Sequence, residues 1–218
     1  MIDLHMHTLM SDGELIPAEL VQRAKAAGYR ALAITDHADQ SNLEEMVPSL
    51  VRAAHALTLG AGILVLPGVE ITHVPPAQIP DMIARARELG AAVVVVHGET
   101  PVEPVPAGTN RAAINGRADI LAHPGLITLE DAKLAKANGV CLEITSRGGH
   151  SLTNGHVAKT ALQAKCSLLC NSDTHAPGNL HSPELRKKVV LGAGLHLAQL
   201  SVMLKNAEAI CRRHSRKV

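Results

Sequence analysis

Aromatic side chains are almost absent from this sequence. Its 218 residues include no phenylalanine and no tryptophan, and the one tyrosine is Tyr29. Proteins that bind single-stranded nucleic acids stack the bases on aromatic rings, so the composition argues against a nucleic-acid partner. Without large side chains, the core must consist of valine, leucine, isoleucine and alanine, which favours helices packed closely on a β-branched sheet.

Closely paired cysteines are also missing. The four cysteines form no CxxC pair, and they are Cys141, Cys166, Cys170 and Cys211. The spacing therefore indicates neither a thiolate metal site nor a disulfide framework. Reduced, buried cysteines are typical of cytoplasmic proteins. The first residues are charged and lack the apolar segment of a secretory signal, so we expect a cytoplasmic location.

Neither a dominant charge nor a long apolar run is present. The formal net charge is +1, so no global electric field selects a partner. No apolar run approaches the ~18 residues that span a bilayer, and we expect no membrane partner. Nothing in these features predicts an oligomeric state.

What the sequence does contain is a regular alternation of short apolar runs and amphipathic stretches. Seven β-α units with short connections run from "MIDLH" to the helices after "SLLCNSDTH". Such units predict a parallel sheet covered by helices, and seven of them suggest an α/β barrel in one domain, residues 1–218. The alternative is an open, doubly wound sheet, although no GxGxxG or GxxxxGK[ST] phosphate loop occurs. The second predicted helix contains Pro48, which permits a break there.

Polar side chains follow six of the seven predicted strands at the point where each strand ends. In a parallel barrel these carboxyl ends share one rim, where active sites are built. Side chains repeat every two residues on an extended segment, so both rings of a His-x-His pair face the same side. The residues at these positions are His5, His7, His37, Glu70, His97, His123, Asp173 and His175, and Asp12 lies in the turn "SDG".

This recurrence favours a metal centre over unrelated structural histidines. A single histidine after a strand is more often a core or loop residue, but unrelated residues would not recur on most strands. Imidazole and carboxylate groups without thiolates suit Zn²⁺, Mn²⁺ or Fe²⁺. Nine candidate ligands exceed what one ion can use. We therefore expect two or three divalent ions that share a bridging carboxylate.

The ordered set of motifs resembles a known family. The motifs are "DLHMHTLMSDG", "ITDH", "GVE", "VVHGE", "AHPG" and "NSDTH". In this order the chain resembles the PHP family, named for its polymerase and histidinol-phosphatase members. The resemblance implies a distorted (β/α)7 barrel with a trinuclear metal centre at the C-terminal rim of the strands.

The resemblance also implies a role for each candidate ligand. It assigns His5, His7 and Asp173 to the first metal, Glu70 to a bridge between the first and second metals, His97 and His123 to the second, and Asp12, His37 and His175 to the third. Every expected position is filled, so we expect an active enzyme in which Glu70 and Asp173 belong to the catalytic centre.

The family implies hydrolysis of phosphoric esters, by a hydroxide that bridges two metals and attacks phosphorus. The leading prediction is a histidinol-phosphatase-like phosphomonoesterase that acts on a small phosphorylated metabolite. The second is a phosphodiesterase or 3′–5′ exonuclease on short oligonucleotides or nucleotides, for which the basic end "CRRHSRKV" is the only extra support. A metal-binding module without catalytic activity is a third reading, and the complete ligand set argues against it.

Several residues near the predicted rim are candidates for other roles. The sixth strand has no predicted metal ligand and leads to "TSRGGH", where Arg147 and His150 are predicted to bind substrate. Arginine matches a phosphate as a bidentate partner. His150 is also a candidate proton donor to the leaving group, with metal-bound water as the alternative. Arg111 either reaches the substrate or lies on a surface helix, and His73 either positions substrate or packs under the nearby prolines.

Overall fold

The computed structural model describes residues 1–214, so the end of the basic C-terminal segment, residues 215–218, lies outside the described part. The strands are β1 (Ile2–Asp3), β2 (Ala31–Ile34), β3 (His37–Ala38), β4 (Leu64–Ile71), β5 (Val93–His97), β6 (Ile120–Ala122), β7 (Cys141–Thr145) and β8 (Leu168–Asn171). The helices are α1 (Pro17–Ala26), α2 (Leu43–Ala61), α3 (Ile79–Glu88), α4 (Thr109–Asn115), α5 (Leu129–Asn138), α6 (Asn154–Ala164), α7 (Pro183–Gly192) and α8 (Leu197–His214).

Every strand pair in the sheet is parallel, and the strands follow one another in chain order. The order is β1-β2-β4-β5-β6-β7-β8, with β3 also beside β4. β2 and β3 are two parts of one predicted strand, so the sheet has seven strand positions. A doubly wound sheet would reverse its strand order in the middle. The predicted α/β barrel is therefore confirmed, and the open alternative is excluded.

The barrel is nearly closed between its first and last strands. A single isolated bridge joins Met6 to Thr174, where the backbone N–H of His7 donates to the carbonyl of Thr174 at 2.8 Å. Side chains complete the seam, because the backbone N–H of Leu4 donates to Oδ1 of Asn171 at 3.1 Å. This seam brings the first and last sequence motifs together.

Two apolar clusters lie on the two faces of the sheet. Alternate strand residues such as Leu32 and Val94 pack beneath the outer helices. The intervening residues, such as Val93 and Val95, fill the barrel interior together with Ile210 of α8. The interior cluster includes the first residues of several strands, so α8 closes the N-terminal end of the barrel. The polar residues therefore lie at the opposite, C-terminal end of the barrel.

α2 runs without interruption from Leu43 to Ala61, so a break at Pro48 was a wrong prediction. Proline removes one backbone hydrogen bond from a helix. Met46, Val47 and Leu50 are buried on either side of it, and their packing holds the helix on the sheet through that position. Across residues 1–214, every helix is too short or too polar to traverse a lipid bilayer.

Candidate metal centre

The alternation of side chains along the strands carries polar groups from the barrel interior to its rim. Leu66 points inward on β4, and Glu70 follows in the same row four residues later. Val95 points inward on β5, and His97 is the next residue in its row. Both polar side chains are buried. A layer of imidazoles and carboxylates therefore covers the apolar interior at its C-terminal end.

Two further site residues, His123 and Asp173, have a left-handed backbone that turns their side chains toward the site. Ala122 points into the barrel, so regular alternation would turn His123 outward. The φ of His123 is instead 28°, and that of Asp173 is 54°. As a result Nε2 of His123 lies 3.7 Å from Oε1 of Glu70. It also lies 3.7 Å from Oδ2 of Asp173. Such conformations are costly for residues other than glycine and cluster at functional sites.

The first group of candidate ligands consists of His5 and His7 near the start of the chain, Glu70 on β4 and Asp173 just after β8. Nε2 of His5 lies 3.2 Å from Oε2 of Glu70 and 3.7 Å from Oδ1 of Asp173. Nε2 of His7 lies 3.4 Å and 3.3 Å from the same two atoms. Two ligand atoms on one tetrahedral Zn²⁺ are about 3.4 Å apart, because Zn–N bonds are near 2.1 Å. The spacing is that of ligands around one ion.

A second group consists of His97, His123 and His150, whose ligand nitrogens all lie within 4.8 Å of one another. All three side chains are buried, and the ring of His150 stacks on that of His123 with centroids 4.2 Å apart. Oε1 of Glu70 faces His123, whereas its Oε2 faces the first group. The Glu70 carboxylate therefore stands between the two groups, as a bridging ligand would.

A third group contains His7, Asp12, His37 and His175. Oδ1 of Asp12 lies 3.5 Å from Nε2 of His37, and its Oδ2 lies 3.2 Å from Nε2 of His175. The side chain of Asp12 is 53% exposed, so this group lies nearer the solvent than the other two. The nine predicted ligands are thus brought together, and their binding of metal stays a prediction.

The "SDG" turn is held in place by Asp36. Its carboxylate accepts hydrogen bonds from the backbone N–H and the hydroxyl of Thr8, each at 2.7 Å, and from the hydroxyl of Ser11 at 2.7 Å. A Cβ at Gly13 would lie 2.6 Å from the carbonyl carbon and oxygen of His7. Only glycine allows so close an approach, and the turn thereby brings Asp12 to the third group.

Hydrogen bonds from the Nδ1 atoms orient three of the histidines. Nδ1 of His5 lies 2.9 Å from Oε1 of Glu143. Nδ1 of His37 lies 2.7 Å from Oγ1 of Thr72 and also 3.0 Å from Oε2 of Glu70, and Nδ1 of His175 lies 3.0 Å from a main-chain carbonyl. When Nδ1–H donates, the lone pair of the ring is on Nε2, which faces the cluster. This is the arrangement of metal-binding histidines in proteins.

Buried polar atoms without hydrogen-bond partners are concentrated in this cluster. Within residues 1–214 they belong to His5, His7, Glu70, His97, His123 and Asp173, and otherwise only to Thr153 and to Asp131, whose Oδ1 forms an ion pair with Arg111. Each such atom costs roughly 1–3 kcal/mol when it remains unpaired. Divalent cations would satisfy these lone pairs and carboxylate oxygens, so the donor set fits a metal centre.

The cluster contains ionised carboxylates among imidazoles whose pKa values shift in both directions. Burial lowers the pKa of His5, but Glu143 and Glu70 outweigh it and hold that pKa well above its usual range, and Glu70 likewise raises the pKa of His37. Burial lowers the pKa of His7 and holds that of His123 well below its usual range. Burial alone would raise the pKa of Glu70, but His5 and the other nearby imidazoles outweigh it and hold the pKa well below its usual range. The same balance lowers the pKa of Asp173. Metal binding requires deprotonated ligands, so a bound ion would displace the protons of His5 and His37.

Members of all three groups line one cavity of about 310 Å³, whereas His5, His7 and Glu70 are not part of its lining. Among the other polar side chains that line it are Arg147 and His150, both predicted to bind substrate. Arg147 is partly buried, and within residues 1–214 no carboxylate lies within 4 Å of its guanidinium. His150 donates or accepts a hydrogen bond with Oγ1 of Thr100 at 2.8 Å. The cavity therefore contains a cation that is not paired with an acidic residue.

Arg111 does not line this cavity. Its guanidinium lies on the exposed side of α4 and forms ion pairs with Glu130 and Asp131, the acidic residues in the first turn of α5. The nearby negative charges hold the side chain on the outer surface, so the structure does not support a contact between Arg111 and a substrate in the cavity.

Two carboxylates at the site were missed by the sequence reasoning. Glu143 is fully buried on β7 and contacts His5, so the sixth predicted strand does serve the centre. An acidic residue in the apolar run "VCLEIT" was a signal that could have revealed it. Glu103 lies in the loop after β5 and contacts His97 and His150. Nothing in its local sequence marked it.

Comparisons with known proteins agree with this geometry. A family model described as "PHP domain" matches residues 3–112. An uncharacterised protein of Methanocaldococcus jannaschii is 53% identical over 195 residues, which are 88% of this chain and 89% of that protein. A 3′,5′-nucleoside bisphosphate phosphatase of Chromobacterium violaceum is 32% identical over 42% of this chain and 38% of its own length.

The fold is also similar to that of a chain in archaeal ribonuclease P with mature tRNA. The TM-score is 0.75 with 16% sequence identity, and the match covers 98% of this chain and 91% of the other. At this identity the similarity concerns the fold alone.

Proposed function

Because the chain belongs to the PHP domain family of metal-dependent phosphoesterases, we propose that it is a phosphomonoesterase that acts on a small phosphorylated metabolite. The observation that carries this proposal is the position of Arg147, a cation without an acidic partner among the described residues, in the same cavity as six of the nine candidate metal ligands. Metal ligands beside a fixed positive charge form a site for a phosphate group.

We assign two or three divalent ions, Zn²⁺, Mn²⁺ or Fe²⁺, to the three groups of ligands. The residues support this number, because Glu70 lies between two groups and His7 lies next to Asp12 of the third. When bound, such ions activate water and neutralise the oxygens of the phosphoryl group that is transferred.

Arg147 is assigned to the phosphate. Its guanidinium is always protonated and carries a fork of N–H donors that matches two phosphate oxygens. It lines the cavity and has no acidic partner in the described part of the chain, so it need not break an ion pair there to bind substrate. In this position it holds the phosphate against the metal ligands.

His150 is assigned to the leaving group as a proton donor. It lies in the cavity lining, and Thr100 fixes its ring through Nδ1, so Nε2 is the atom that faces the site. Proton transfer to the departing oxygen is a general-acid step that histidine performs well near neutral pH. His150 also belongs to the second group of possible ligands, and its two roles would exclude each other.

The size of the cavity supports a small substrate. A volume of about 310 Å³ lies at the lower end of the range for small-molecule sites. The lining is dominated by charged and hydrogen-bonding side chains, which suits a phosphate with a polar remainder.

The second candidate is hydrolysis of nucleotides or short oligonucleotides, including diesters. It is favoured by the similarity to the phosphatase of C. violaceum, whose name specifies a nucleoside bisphosphate. Hydrolysis of a diester requires more space around the phosphate than hydrolysis of a monoester, because a diester carries a second substituent on phosphorus.

A comparison of chromogenic esters tests these proposals. Protein reconstituted separately with Mn²⁺, Zn²⁺ and Fe²⁺ is assayed with p-nitrophenyl phosphate and bis(p-nitrophenyl) phosphate, with metal-free protein as the control. We expect faster turnover of the monoester. Preference for the diester would support the second candidate, and no turnover of either by metal-loaded protein would contradict both. A screen of phosphorylated metabolites then narrows the substrate.

A further inference from the structure

The loop after β5, residues 98–108, contributes Glu103 to the lining of the cavity and is held by several hydrogen bonds. Its sequence, "GETPVEPVPAG", contains three prolines, which restrict the backbone. Oγ1 of Thr100 lies 2.8 Å from Nδ1 of His150. The Glu99 carboxylate accepts hydrogen bonds from the backbone N–H groups of Gly108 and Asn110 at 3.0 and 2.9 Å. These contacts determine where the remaining carboxylate of the loop, that of Glu103, lies.

The carboxylate of Glu103 lies among three histidine nitrogens. Its Oε2 is 3.1 Å from Nε2 of His97, and its Oε1 is 3.3 Å from Nε2 of His150. Its Oε2 is also 3.2 Å from Nε2 of the exposed His73. The first two distances are close to the ~3.4 Å that separates ligand atoms on one tetrahedral ion. Glu103 thus approaches two members of the second group from the cavity side.

A separate ion at the mouth of the cavity does not explain this arrangement. His73, His97 and Glu103 could form a group of their own, but His97 also belongs to the second group. A neutral imidazole offers one lone pair, so His97 serves one ion at a time. A single ion held by His97, His123 and Glu103 uses the contact between Glu103 and His97, and it leaves Nε2 of His150 for the leaving group.

The position of Glu103 also predicts competition with substrate. Its side chain is 36% exposed and lines the same cavity as Arg147, so an entering phosphate meets it. Two anions close together repel each other in a buried site. His73 lies at the outer edge, 41% exposed, and can hold the displaced carboxylate.

We propose that Glu103 is a reversible ligand of the second metal position and that the phosphate of the substrate displaces it. This inference rests on the proposed function for the identity of the entering anion. The exchange is a substitution of one oxygen ligand by another, in which the carboxylate leaves the ion as a phosphate oxygen binds.

The first test measures metal affinity in Glu103→Gln, which keeps the shape of the side chain and removes its charge. Wild-type protein, Glu103→Gln and the control Glu45→Gln, altered on the exposed face of α2, are loaded with Zn²⁺ and titrated with a chelator. We expect one ion per chain to be released at about tenfold lower chelator concentration in Glu103→Gln only. Equal release from all three proteins would show that Glu103 is not a ligand.

The second test measures the binding of inorganic phosphate by calorimetry at saturating Zn²⁺. Removing the competing carboxylate should tighten phosphate binding several-fold in Glu103→Gln and leave Glu45→Gln unchanged. Weaker metal binding without tighter phosphate binding would make Glu103 a fixed ligand or a positioning residue for His97, and would overturn the displacement. Neither test measures turnover, so a protein that hydrolyses no phosphoester could still satisfy both.

Discussion

Nδ1 of His5 lies 2.9 Å from Oε1 of Glu143, and both side chains are fully buried although 138 residues separate them in the chain. The Glu143 carboxylate also accepts hydrogen bonds from Nδ2 of Asn171 at 2.8 Å and from the backbone N–H of His123 at 3.3 Å. One carboxylate therefore orients a candidate ligand of the first group and the backbone of a candidate ligand of the second.

Glu143→Gln should weaken metal binding although Glu143 belongs to none of the three ligand groups. Glutamine has one acceptor oxygen for three donors and places an NH₂ group against one of them. Loss of an orienting carboxylate typically lowers metal affinity by about 10- to 100-fold. Chelator titration measures this effect, and the ¹⁵N chemical shifts of His5 report its tautomer. Unchanged affinity and tautomer in a folded variant would contradict the positioning role.

Purified protein should contain two or three transition-metal ions per chain. The prediction follows from the three groups of possible ligands and from the unpartnered atoms within them. Elemental analysis after anaerobic reconstitution with Mn²⁺, Zn²⁺ or Fe²⁺ provides the measurement. A maximum of one tightly bound ion under every condition would exclude the multinuclear centre.

Glu70→Gln should abolish hydrolysis and reduce metal content. Oε1 of Glu70 faces His123 and its Oε2 faces His5, so the change affects two groups of ligands at once. The replacement is nearly isosteric, and circular dichroism should show a folded protein. Wild-type turnover together with full metal content would show that Glu70 is not the bridging ligand.

Arg147→Ala should leave metal content unchanged and reduce kcat/KM for a phosphomonoester by about 10- to 150-fold. This range corresponds to the roughly 1.5–3 kcal/mol of a charge-assisted hydrogen bond. A rise in KM alone indicates equal binding of ground and transition states, whereas a fall in kcat indicates a contact that tightens as charge develops.

Two arginine variants serve as comparisons for Arg147→Ala. Arg52→Ala removes an exposed charge on α2 whose guanidinium contacts only Ser49 among the described residues, and it should leave kcat/KM unchanged. Arg111→Ala tests the role that the sequence suggested for that residue. Its ion pairs with Glu130 and Asp131 lead us to expect little change. Equal kcat/KM in wild type and Arg147→Ala would mean that the phosphate is held elsewhere.

His181 should make the protein less stable in acid. Burial and the adjacent Arg186 lower the pKa of His181 to about 3, and its Nδ1 accepts a hydrogen bond from Nε of Arg186 at 3.4 Å. The pKa in the unfolded chain is about 6.5. Between these values the unfolded chain binds one more proton, so stability falls as the pH falls through this window.

Replacement by asparagine tests this linkage. Urea unfolding of wild type and His181→Asn is compared at pH 6.5 and pH 4.5. The wild type should lose more stability on acidification than the variant, by at most about 2.7 kcal/mol, since one proton contributes about 1.36 kcal/mol per pH unit. Equal losses in the two proteins would show that His181 takes up no proton on unfolding.

The sequence by itself determined the repeat of β-α units and the ends of the strands. Those two features are local, because apolar runs and helical spacing depend on neighbouring residues. Parallel strands place their carboxyl ends on one edge, so it followed that Glu70 and His97 would meet. They do lie together at the rim, each in the row of inward side chains of its strand.

Other features depended on contacts between distant segments, which only the tertiary structure decided. Alternation would have turned His123 outward, but its left-handed φ turns it toward Glu70. Arg111 lies beside the acidic start of α5 and outside the cavity. Glu143 and Glu103 reach histidines far from them in sequence. Each of these positions is set by how the closed barrel and its loops pack, and local sequence patterns do not encode that packing.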